Sequence, residues 1–211
     1  MKKLLNMSLL LTLLPCTMLL ADVNSDVEHL QERWAEVNYQ LASNLQESAF
    51  EQLITEAANV TTMYPDSAEA WIWSGIIKST YAGVKGGLGA LSLAKAAKAD
   101  LEIAISINPD ALDGSAYNTL GTLYFSVPGW PIGFGDDDYA EELLTRALAL
   151  NPDGIDPNYF YASYLVSERR YAEAREFLLK AQQSPMRPGR AVADAGRQME
   201  ITELLAEIAD K

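Results

Sequence analysis

Arginine is the side chain best shaped to hold a carboxylate, because its planar fork offers parallel N–H donors. Three arginines fall close together late in the chain: Arg187, Arg190 and Arg197, set around Pro185 and Pro188 and beside Asp194. If they converge, they form an anion seat; if they pair with nearby Asp and Glu, they fix the last helix instead. A second set is aromatic. Tyr81, Tyr124, Trp130, Phe134, Tyr159 and Tyr161, with Lys85 close to the first of them, are the residues expected to contact a ligand or a partner.

Little else in the chain could do chemistry. One Cys and one His cannot assemble a Cys/His zinc site or a Cys-His pair, and a Ser-His-Asp triad would depend on His29 near the N-terminus. The run Asp136-Asp137-Asp138 has no EF-hand spacing after it and reads as a helix cap with favourable dipole charges. Around Gly83 to Gly89, Gly87-Leu88-Gly89 lacks the third glycine of a dinucleotide fingerprint, and Lys85 is not followed by the Gly-Lys-Ser/Thr order of a phosphate loop. A helix break is the simpler reading there. No catalytic residue, cofactor or metal site is expected.

Of the 211 residues, 49% are apolar and 21% charged, which is the composition of a globular chain. The net charge of −13 would repel a phosphate-rich partner, so nucleic-acid binding is disfavoured. Residues 1–21 read as an export signal: Lys2 and Lys3 precede an apolar stretch from Leu9 to Leu20, with small Ala21 before the polar Asp22. As a transmembrane helix this stretch is short and carries Pro15. Cys16 offers a rival lipoprotein reading, but Pro15 stands where a small residue normally precedes the acylated Cys. Cleavage after Ala21 leaves 14 basic against 29 acidic side chains and no cysteine, so the exported chain would rely on core burial alone. The expected compartment is the bacterial periplasm, with membrane attachment only if Cys16 is lipidated.

Repetition organises residues 22–211 as one domain. Leu53, Ala57, Val60 and Pro65 recur with the same spacing as Ala97, Leu101, Ala104 and Pro109, and again as Ala140, Leu144, Ala147 and Pro152. A fourth copy, Ala174, Leu178 and Ala181, is followed by Pro185 and Pro188. The phrase resembles the second helix of a tetratricopeptide (TPR) repeat, in which small residues let two helices approach and proline ends the helix. Trp71, Ser74 and Gly75, and then Tyr117, Leu120, Gly121 and Tyr124, resemble the first helix, with Gly121 expected at a close approach. Successive prolines lie 44 and 43 residues apart, against about 34 in an ordinary repeat. The excess is placed between helices, around 81–89 and at 127–135, where both insertions are expected to fold over one end of the groove. Helices are predicted near 26–46, 48–63, 67–83, 88–107, 112–126, 137–150, 156–168, 171–183 and 190–209, with no strand. The last is predicted to be a capping helix with Ala193, Met199, Ile201, Leu204, Leu205 and Ile208 near one side. The fold expected is all-α: a TPR-like helical-hairpin solenoid of about four repeats plus that cap.

Longer stretches carry a more specific likeness. Leu112 to Tyr117, Leu120 to Tyr124 and Val127 to Asp136, with Lys85 to Gly89, Asn151 to Tyr161, Arg187 to Arg190 and Ala193 to Arg197, resemble the TatT component family. These are exported TPR-like proteins associated with tripartite ATP-independent periplasmic (TRAP) transporters. The resemblance runs from about Trp71 to Leu205. It implies an accessory of solute uptake that works beside a periplasmic solute-binding protein, and it implies no catalysis. Two function classes follow: a binder of a small apolar or carboxylate ligand, or a general envelope protein-interaction scaffold with no small ligand.

Overall fold

The computed structural model describes residues 22–211; the expected export signal, residues 1–21 with Cys16, lies outside them. Four antiparallel helical hairpins follow one another: α1 Val23–Tyr39 with α2 Ser43–Met63, α3 Ala68–Lys85 with α4 Gly87–Ile107, α5 Ser115–Ser126 with α6 Asp137–Leu150, and α7 Ile155–Ser167 with α8 Tyr171–Gln182. A single helix, α9 Ala191–Glu207, ends the chain, and a short 3-10 turn, Ala111–Gly114, precedes α5. Among the described residues no strand occurs; one isolated bridge joins Gly129 and Gly135.

The recurring phrase explains the hairpins. Leu53, Ala57, Ala97, Leu101, Ala104, Ala140, Leu144, Ala147, Ala174, Leu178 and Ala181 are all buried, each on the second helix of its pair. In the middle hairpins the first helix answers with glycine. A Cβ at Gly75 would lie 2.6 Å from Leu101 Cγ, and one at Gly121 would lie 2.8 Å from Leu144 Cγ and 3.2 Å from the Ala140 carbonyl. Leucine against glycine therefore sets the spacing of these pairs, and a larger residue at Gly121 would overpack it.

Two boundaries differ from expectation, each for a local reason, and a third is as expected. The first helix stops at Tyr39 instead of near 46, and the break contains neither Gly nor Pro. Gln46 Nε2 donates to the Val37 and Asn38 carbonyls at 3.2 and 3.1 Å, satisfying acceptors that the helix end leaves open. The extra residues around 81–89 do not form a loop. They lengthen α3 and α4, and the chain reverses at Gly86 and Gly87, whose φ of 61° and 58° suits glycine. The extra residues at 127–135 do form a loop, because Pro128 and Pro131 cannot continue a helix. Asp136 then caps α6, its side chain accepting from the Tyr139 N–H.

The last helix does more than cap. It packs on α7 and α8 as expected, and also on α1, so the end of the chain returns to its beginning. Gly196 permits this contact, since Tyr39 occupies the space a Cβ would need. Ala193, Ile201 and Ile208 are buried, whereas Met199, predicted on the same side, is 65% exposed.

Candidate functional site

The inner helices α1, α3, α5 and α7 face a chamber of about 660 Å³, and α9 with the segment before it supplies the remaining wall. One side is aromatic. Trp34 meets Tyr39 and Trp73 edge-on, at centroid distances of 5.6 and 5.8 Å, and its indole N–H donates to Thr80 Oγ1 at 2.9 Å. Tyr159 and Phe160 stand on α7, both under the Arg197 guanidinium at 4.4 Å. Leu112 and Asp113, also on the wall, hold φ of 47° and 53°. Left-handed backbone at two successive non-glycine residues is strained, and such strain concentrates at functional sites.

The charges lie against these aromatics. Asp156 receives Arg197 Nε at 2.8 Å and Arg187 Nη1 at 2.5 Å, while Arg187 Nε and its backbone N–H reach the two oxygens of Asp194 at 2.8 and 2.7 Å. Arg197 also pairs with Glu200. Burial by itself would raise the Asp156 carboxyl, but Arg197 and Arg187 outweigh it and hold its pKa at about 2. Burial pushes the Tyr39 phenol well up, partly offset by Arg197. Arg190 differs from its neighbours. It stacks on Trp73 at 4.9 Å and donates to Gln31 Oε1 at 3.2 Å, and no carboxylate of the described residues pairs with it.

The residues singled out in sequence divide into four places. Arg187, Arg190 and Tyr159 stand on the chamber wall. Tyr161 does not: it stacks on Tyr164, meets Phe177 edge-on and donates to Glu141 Oε1 at 3.1 Å. Tyr81 is buried against Phe50, its hydroxyl donating to Glu51 at 2.9 Å, and Lys85 donates to Tyr81 and Glu47 at 2.9 Å each. Tyr124 and Phe134 meet edge-on at 5.2 Å beneath Lys98, and Trp130 at the loop tip is 90% exposed. The two insertions therefore do not fold together over the groove. Tyr81 and Lys85 make their contacts with α2, and the loop makes its contacts with α4 and α5.

Sequence reasoning overlooked Trp34, Tyr39, Trp73 and Asp156. For Trp73 it favoured the neighbour, Trp71, whose indole donates to the Pro65 carbonyl at 2.9 Å. Asp156 stands just before Pro157 at a helix start, where an acid reads as a cap; its partners lie 31 and 41 residues away. The described residues hold no cluster of His, Cys, Asp and Glu able to ligate a metal.

No protein-family model and no curated protein matches the sequence. Solved structures are similar in fold. The crystal structure of TTC0263, a thermophilic TPR protein from Thermus thermophilus, covers 88% of this chain and is itself wholly covered, with 14% identity and a TM-score of 0.56. A MamA crystal structure covers 82% of the chain and is 95% covered, at 20% identity and a TM-score of 0.45. Pseudomonas aeruginosa PilF covers 86% and is 93% covered, at 14% identity and a TM-score of 0.36. With the buried Ala/Leu/Ala phrase and the four hairpins, the first of these defines the chain as an all-α, TPR-like helical-repeat solenoid.

Proposed function

We propose that this protein is an exported, TPR-like binding protein that serves TRAP-type solute uptake, holding a small ligand in the chamber while its outer surface engages a periplasmic solute receptor. The observation that carries the reading is a coincidence of sequence and space. Three stretches that resemble the TatT family, Leu112 to Tyr117, Asn151 to Tyr161 and Arg187 to Arg197, lie far apart in the chain, and residues of all three line this one chamber. A volume of about 660 Å³ is within the range of small-molecule sites, and its wall sets an aromatic cluster beside convergent polar and charged side chains. In an open TPR groove the inner helices are free to take a peptide, whereas here α9 stands across to α1 and narrows that route.

Native mass spectrometry of the protein purified gently from its source envelope tests this. The expected result is a bound small molecule that is released on unfolding. Thr119→Trp, which fills the chamber from α5, is expected to abolish that species while the protein still melts cooperatively. A parent protein that retains no small molecule overturns the ligand reading.

A second reading, a protein-interaction scaffold, is favoured by the loop tip. Trp130 and Ile132 are 90% and 68% exposed on a segment whose base is fixed by hydrogen bonds from Gly135 N–H to the Pro128 carbonyl and from Asp136 N–H to the Tyr124 carbonyl. An ordered aromatic anchor of this kind suits protein docking. In this reading Trp130→Ala abolishes association with the receptor and Thr119→Trp leaves it intact.

A further inference from the structure

Three arginines reach the chamber wall, and two of them are ion-paired within the protein. Arg187 and Arg197 share Asp156 and take Asp194 and Glu200 as further partners. Arg190 has one polar contact, the neutral Gln31 amide, and its Nε is buried with no acceptor in the protein. Arginine cannot shed its proton to escape this situation. Burial and the adjacent Arg187 lower its pKa, partly offset by Asp156 and Asp194. Two other wall residues have polar atoms without a protein partner: Trp73 Nε1, on the ring beneath Arg190, and Asn118 Oδ1 on α5.

The carboxylates whose charge reaches Arg190 are Asp156 and Asp194, and both are already engaged by Arg187; on α1, Glu28 and Glu32 line a second depression with Arg190. Both glutamates are exposed and neither comes within ion-pairing distance. The guanidinium lies over the Trp73 ring at 4.9 Å, and its unused donors suit a planar acceptor. The ligand's charge is limited too. Asp156, Asp194 and Glu200 stand close by, so a second negative charge would meet repulsion.

Resting on the reading of the chamber as a small-molecule site, we infer that Arg190 seats the single carboxylate of an amphipathic ligand whose apolar or aromatic body lies along Trp34, Trp73, Tyr159 and Phe160. The ligand is a monoanion: among the described residues Arg190 is the one wall arginine without an ion pair, a second negative charge would face Asp156, Asp194 and Glu200, and the aromatic wall takes the remainder.

The test is titration calorimetry of the full chain, expressed with its leader, against octanoate, decanoate, 3-phenylpropionate and indole-3-propionate, each beside its primary amide. At least one acid is expected to bind tenfold or more tightly than its amide. Arg190→Gln is expected to bring that acid down to the affinity of the amide and leave the amide unchanged. Arg190→Lys should retain part of the preference. Without ligand, Arg190→Gln is expected to melt no lower than the parent; a purely structural arginine would melt lower. Removing Glu28 and Glu32 together as Gln should leave acid affinity unchanged, and a tenfold rise would mean that those glutamates already neutralise Arg190, overturning the inference. Equal binding of acid and amide, or a preference that survives Arg190→Gln, overturns the carboxylate seat while chamber binding stands. No binding by any probe, with no small molecule retained by the envelope-purified protein, overturns both.

Discussion

Asp156 concentrates the electrostatics of the chamber in one carboxylate. Its folded pKa of about 2 lies below that of a free aspartate. Its contribution to stability is therefore complete above the unfolded pKa, near pH 4, and is lost as the pH falls through 4 towards 2. The shift corresponds to about 2 kcal/mol. Asp156→Asn is expected to lower stability by about that amount or more at pH 7, because Arg187 and Arg197 then lose a shared partner. The variant should also lose most of the parent's decline between pH 4 and 2. Urea denaturation at pH 7, 4 and 2.5 checks both. At this scale the arginines were legible in sequence as a group with two alternative uses; Arg187 and Arg197 pair with carboxylates, and Arg190 pairs with none among the described residues. Which arginine is left over was not legible, because it depends on Asp156, a residue remote in sequence whose local context signals only a cap.

The hairpins were legible as elements because alanine, leucine and proline recur in a fixed order, and each part of that order has a local mechanical meaning. The insertions were less so. Two segments with nearly the same excess length behave in opposite ways, and the difference lies in their breakers. Gly86 and Gly87 reverse the chain almost within one residue and leave the rest free to extend α3 and α4, whereas Pro128 and Pro131 forbid helix. The loop that results has an anchored side and a free side. Phe134 packs on Tyr124, and a Cβ at Gly133 would meet the Pro128 carbonyl and Val127, so this glycine is required by space and not by a positive φ. Phe134→Ala is therefore expected to destabilise the protein by about 2 kcal/mol, while Trp130→Ala should stay within about 0.5 kcal/mol of the parent. Thermal melts of the two variants make the comparison. Equal losses would mean that the loop tip is a structural plug and not an exposed anchor.

At the scale of the whole molecule, the repeat phrase describes neighbours only, so it could not show that α9 reaches back to α1. Gly196 was visible as one letter of a family-like stretch, and its use became clear only with Tyr39 beside it. In an open repeat array each unit leans on the next, the terminal units fray first, and stability is close to a sum of nearest-neighbour terms. Joining the two ends removes that independence. The Arg190–Gln31 contact spans 159 of the 211 positions, so folding has to close a loop of most of the chain, and the first and last described helices are expected to exchange their amide hydrogens as one cooperative unit. Gly196→Val, which forces Tyr39 aside, should speed hydrogen exchange along residues 23–39 as strongly as along 191–207, while leaving the α3–α4 pair protected. Exchange that accelerates in α9 alone would show that the two ends behave as separate termini. If they move together, α1 and α9 act as a latch, and the fold behaves as a closed ring of helices that opens at one seam instead of a row that frays from two free ends.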